Sequence, residues 1–105
     1  MTNNNLKSIV FLMLVAGRKQ KEELLEALTQ AGGRMVNAVY GRGSVQTNYL
    51  MDILGLIPEE HKVVITCMLP SEKSDDVLEM LINKFNFDKP NTGIAFTVPI
   101  DKISL

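Results

Sequence analysis

HKVVITCMLPSEKSDDVLEMLINKF (residues 61–85) changes its periodicity at a single proline. His61 to Leu69 is nearly all apolar, which suits a strand covered on both faces. Pro70 ends that run, having no amide to give to a ladder. Ser71 then stands where a helix N-cap belongs, and Glu72, Asp75 and Asp76 fall in the first turns, where the helix dipole favours negative charge. Val77, Leu78, Leu81, Ile82 and Phe85 recur on one helical face. The stretch reads as a strand followed by an amphipathic helix.

The same order occurs earlier in the chain. Residues 7–16 (KSIVFLMLVA) form an apolar strand, and GRKQK breaks it. A helix follows from about Lys19 to Gln30, with Leu24, Leu25, Leu28 and Ala31 on its apolar stripe and Lys21, Glu22, Glu23 and Glu26 off it. Gly32-Gly33 stops this helix in the manner of a left-handed C-cap. A second strand runs from about Arg34 to Tyr40. NFDKPNTG is a turn-rich connector, and Ile94 to Ile100 is the last strand, with Pro99 suited to its end or to an edge. Strand-helix-strand, twice over, predicts one α+β domain across 1–105. Its plan is the ferredoxin-like βαββαβ fold, a four-stranded antiparallel sheet with two helices on one face. The strands are too apolar for the other face to stay wet, so self-association is expected to cover it.

The bulk numbers restrict function. The chain has 105 residues, 46% hydrophobic and 22% charged, with a net charge of −1 and scattered cations. Disorder is not expected, and nucleic-acid binding is disfavoured by the lack of a basic excess. One cysteine, Cys67, allows no intrachain disulfide and fits a reducing compartment. The apolar run Ile9 to Ala16 is far shorter than the roughly 20 residues of a membrane span. A cytoplasmic protein is the expectation.

Four features then point to a family: VYGRG ending the second strand, some seventeen residues before the third strand, the Leu-Pro exit from that strand into a helix, and NTGIAFTVPIDKI as the last strand. In this order the chain resembles the PII (nitrogen-regulatory) signal-transduction proteins over nearly its whole length. The resemblance implies a homotrimer with an adenine nucleotide or small anion bound in the cleft between subunits. Residues 44–60 would be the T-loop that touches a regulated partner, such as a membrane transporter or a metabolic enzyme. Gly41 and Gly43 would form its base, and Asn91-Thr92-Gly93 would flank the cleft. Candidate ligand residues are Gly41, Arg42, Gly43, Gln46, Lys62, Asn91, Thr92 and Gly93. Departures from the family pattern also stand in this sequence. Ile94 occupies the place of the family's phosphate-reading lysine, and Val45 stands where ATP-binding members carry glutamine, with Gln46 one place on.

The two glycines of Gly41-Arg42-Gly43 either bring backbone amides close to an anion or merely bend the chain out of the sheet. Arg42 is the only cation in residues 35–61. The loop holds seven apolar side chains within nine residues: Tyr49, Leu50, Met51, Ile53, Leu54, Leu56 and Ile57. Exposing several of them forgoes several kcal/mol at about 25 cal/mol per Å². The run therefore either folds back on its own assembly or docks on a partner. His61, the only histidine, reads as a surface or capping residue, and Cys67 as a buried, inert thiol. No nucleophile-base pair, paired carboxylates or metal-ligand spacing stands out, so no enzyme is expected. The alternatives are an interaction trimer without a ligand, and a CutA-type trimer binding metal at its cleft, which one His and one Cys disfavour.

Overall fold

The structure, a computed structural model, describes residues 9–41, 62–89, 92–102 and 104. Strand β1 spans Ile9–Gly17, helix α1 Lys21–Gln30, β2 Arg34–Gly41, β3 Lys62–Pro70, helix α2 Ser74–Phe85 and β4 Gly93–Pro99. The strands form one antiparallel sheet in the order β2-β3-β1-β4. This is the ferredoxin-like α+β arrangement that the double strand-helix-strand pattern predicts.

The core lies between the sheet and the two helices. Alternate residues of β1 (Val10, Leu12, Leu14, Ala16) and β3 (Val63, Ile65, Cys67, Leu69) are buried there. Leu24 and Leu28 of α1 and Val77, Leu81 and Phe85 of α2 pack onto them. The expected stripes thus face inward, except that Ile82 is exposed and Leu25 and Leu78 lie at the margin. The intervening strand residues point to the opposite face and are apolar too. Phe11, Met13, Val15, Val64 and Met68 are half-buried, whereas Val39, Phe96 and Val98 are 64%, 40% and 46% exposed.

Both helix ends are set by local geometry. Gly32 takes φ +100, and the amides of Gly32 and Gly33 donate to the carbonyls of Thr29 and Leu28. This is the Schellman closure that a glycine after the last turn permits. Asn86, in the left-handed region, ends α2. Ser71 is not the N-cap expected of it. Residues Ser71–Lys73 form a 3-10 turn, α2 starts at Ser74, and the Ser74 hydroxyl donates back to the Ser71 carbonyl at 2.9 Å. A 3-10 turn at Arg18–Gln20 likewise delays α1 beyond Lys19. In β2 the register slips between Arg34 and Asn37, and Met35 sits at φ 54. Methionine here holds the bulge position at which glycine is usual.

Candidate functional site

The register gathers the ends of all four strands. Lys62, the first residue of β3, lies opposite Gly17 of β1 and Gly41 of β2. One step along, Ala16 lies opposite Gly93, the first residue of β4. Three glycines, Gly17, Gly41 and Gly93, therefore stand at the lysine end of the sheet. Lys62 is only 5% exposed and has no ion-pair partner among the described residues. A buried lysine with no counter-charge among the described residues makes this end suited to an anion.

A second group of cations stands at the same end, where the chain turns from β1 into α1. The Arg18 guanidinium lies 4.2 Å from the centre of the Tyr40 ring. Lys21 Nζ lies 5.0 Å from that centre and donates to Tyr40 Oη at 2.6 Å. The Tyr40 hydroxyl, and after it the Glu22 carboxylate at 3.3 Å, hold the Lys21 ammonium above the ordinary lysine range. Arg18 Nε is buried and has no hydrogen-bond partner.

Of the residues singled out in the sequence, Gly41, Lys62 and Gly93 come together here, with Thr92 next to Gly93. Gly93 also has a local reason to be glycine, because a Cβ there would lie 2.6 Å from Phe87 Cζ. Arg42, Gly43, Gln46 and Asn91 lie outside the described residues, as does the apolar series Tyr49, Leu50, Met51, Ile53, Leu54, Leu56 and Ile57. The sequence does not mark Gly17, Arg18, Lys21 or Tyr40 as site residues. GRKQK reads only as a strand break, and Tyr40 only as a strand residue. The usable signal was charge density, three cations in the four residues Arg18 to Lys21.

Two other features carry less chemistry. A groove of about 380 Å³ between α1 and α2 is lined by Ala27, Ala31, Val77, Met80, Lys73 and Lys84, among others, toward the far end of α1 from Lys21. Cys67 is buried on the helix side, and burial pushes its thiol up to about 11, which removes it as a nucleophile at neutral pH.

By sequence, the chain matches no family model and no curated protein. By structure it is similar to CPII of Thiomonas intermedia K12, a nitrogen regulatory PII-like protein. The apo form gives a TM-score of 0.64 at 19% identity, covering 86% of each chain. CPII bound to ADP, AMP and bicarbonate gives 0.61 at 20% identity, covering 88% of this chain and 89% of that one. The fold is that of the PII-like proteins. A Thermus thermophilus protein described as a PII-like signalling protein agrees, with a TM-score of 0.62 at 16% identity, over 86% of this chain and 83% of its own. A Bacillus cereus protein related to NIF3 matches 91% of this chain at a TM-score of 0.63 and 15% identity, but over only 26% of its own length. A similar fold thus also occurs as part of a larger protein, and fold alone does not set function. No described helix is long and apolar enough to cross a membrane.

Proposed function

We propose that the chain is a PII-like regulatory subunit acting as a homotrimer. It binds an adenine nucleotide and a small anion at the glycine-lined sheet end, and residues 44–60 serve as the T-loop. That loop passes the ligand state to a partner protein, a membrane transporter or a metabolic enzyme. Its work is binding and not catalysis. One observation carries the reading: Lys62 is buried between Gly17 and Gly41 with no counter-charge among the described residues. The ligand class is supported by CPII, a structural relative bound to ADP, AMP and bicarbonate. Self-association is supported by the apolar face opposite the helices, where Val39, Phe96 and Val98 stand 40% exposed or more.

Sedimentation of the full chain at micromolar concentration is expected to give about 35 kDa, three times the 11.7 kDa protomer. ADP and AMP, with and without bicarbonate, are then titrated by thermal shift. A nucleotide at a hundredfold excess over its Kd adds about 2.7 kcal/mol of stability, and Lys62→Ala is expected to remove most of the bicarbonate increment. A folded monomer overturns the assembly. A trimer unmoved by every nucleotide and by bicarbonate replaces the sensor with an interaction trimer.

A further inference from the structure

We infer that Arg18 and Lys21, gathered on the ring of Tyr40, form a binding site for a phosphoryl group at the corner of the glycine-lined sheet end. The inference rests on the nucleotide reading above only for the source of that group. The corner itself is argued from its own geometry.

Two cations share one aromatic ring, Arg18 at 4.2 Å and Lys21 at 5.0 Å from its centre. Stacking on the ring accounts for Arg18. It does not account for bringing a second positive charge to the same place, where the two repel. Among the described residues the one carboxylate in an ion pair here is Glu22, and its side chain is 83% exposed, so water screens most of its charge. The corner therefore keeps a surplus of positive charge.

Its hydrogen-bonding capacity is equally one-sided. Arg18 Cζ lies over the ring, and the buried Arg18 Nε donor has no partner among the described residues. Tyr40 Oη accepts from Lys21, so its own O–H is left to donate. Lys21 keeps one further N–H bond beyond those given to Tyr40 and Glu22. A guanidinium, an ammonium and a hydroxyl thus gather at one ring, all of them with donors to give. A tetrahedral phosphoryl dianion offers three oxygens in three directions and takes all of them. A planar carboxylate fills only two. The phosphoryl group comes either from a nucleotide seated at the sheet end or from a free inorganic phosphate species.

The test uses Tyr49→Phe full-length protein, in which Tyr40 is the only tyrosine of a chain without tryptophan. Tyrosine emission then reports on this corner. Pyrophosphate and ADP are expected to change it saturably, and adenosine is not. Arg18→Gln and Lys21→Gln are each expected to weaken pyrophosphate and ADP by about tenfold or more, the loss typical of a charged hydrogen bond. Tyr40→Phe keeps the ring under Arg18, removes the hydroxyl, and weakens pyrophosphate less than either charge removal, as read by calorimetry. If Arg18→Gln does not fold, Arg18→Lys keeps the charge, loses the fork, and is expected to bind pyrophosphate more weakly than wild type. Absence of any pyrophosphate response in the parent protein overturns the site. So does unchanged ADP affinity in both glutamine variants, and if Lys62→Ala still loses ADP the sheet-end reading survives on its own. Pyrophosphate binding that both variants lose, in a protein blind to ADP, upholds the corner and removes the nucleotide as its source.

Discussion

Replacing Gly93 with alanine separates two reasons for that glycine, packing against Phe87 and access for a ligand. The added Cβ would lie 2.6 Å from Phe87 Cζ, 2.7 Å from Cε1 and 3.0 Å from Cε2. Carbon atoms rest about 3.5–4.0 Å apart, so methyl and ring must part by about 1 Å. Phe87 is packed against the core, and overfilling such a place costs about 1–3 kcal/mol. Gly93 is not in the left-handed region, so alanine adds no backbone strain and the whole cost belongs to the ring. For a domain of about this size each kcal/mol moves Tm by about 4–8 °C, so Gly93→Ala is expected to lower Tm by roughly 4–24 °C. Calorimetry at fixed protein concentration measures this without interference from assembly. A Phe87→Ala background supplies the control. With the ring gone the methyl has nothing to strike, so Gly93→Ala costs little more there, a coupling of about 1 kcal/mol or larger. An equal cost in both backgrounds, or none in either, refutes the packing account and leaves ligand access as the reason for the glycine.

Other substitutions probe other parts of the molecule. Met35 is 70% exposed at φ 54. Met35→Gly relieves about 1–2 kcal/mol of left-handed strain against about 0.5–1 kcal/mol of glycine entropy, so the urea midpoint should rise, and a fall would place that side chain in a contact. The Cys67 thiol titrates near 11 when folded against 9.0 ordinarily, so its contribution is intact below pH 9. Between pH 9 and 11 the unfolded chain loses the proton first, and stability falls at up to about 1.4 kcal/mol per pH unit. Cys67→Ala should flatten that part of the Tm-against-pH curve, and an unchanged slope would show that the thiol does not cause it. Phe96→Asp puts a charge on the apolar face away from the core; sedimentation should then show folded protomers, and an unaltered assembly would move the interface elsewhere.

The fold was legible because its signals are redundant. β1 and β3 are continuous apolar runs, and Leu24, Leu28, Val77, Leu81 and Phe85 mark their own helical faces and do lie in the core. Gly32-Gly33 could be read as a stop because few other residues reach φ +100. Ser71 misled because a serine before acidic residues looks the same whether an α-helix or a 3-10 turn follows, and only the bond from Ser74 to the Ser71 carbonyl distinguishes them. The bulge at Met35 left no trace, since methionine is not a turn residue. At the candidate site, Gly41, Lys62 and Gly93 were each visible, but their meeting depends on register, which no local pattern encodes. Arg18 and Lys21 were missed for a related reason. Their shared partner Tyr40 is 19 residues beyond Lys21 in the chain.

Register also bears on how a bound ligand would act. Strand β2 ends at Gly41 and β3 begins at Lys62, and those two residues are paired directly across the two strands. On the proposed reading a ligand at this end meets both roots of the loop between them together, and Tyr40, one residue before Gly41, is held to Arg18 and Lys21. On the proposed reading no long relay is needed. Whatever free energy the ligand gives to one arrangement of the two roots is given to the loop that joins them. Linkage then runs both ways: a partner that holds the loop in the ligand-favoured arrangement must tighten ligand binding by the same factor by which the ligand tightens the partner. A glycine-lined, lysine-centred sheet end suits such coupling better than the groove between α1 and α2, which borders neither root.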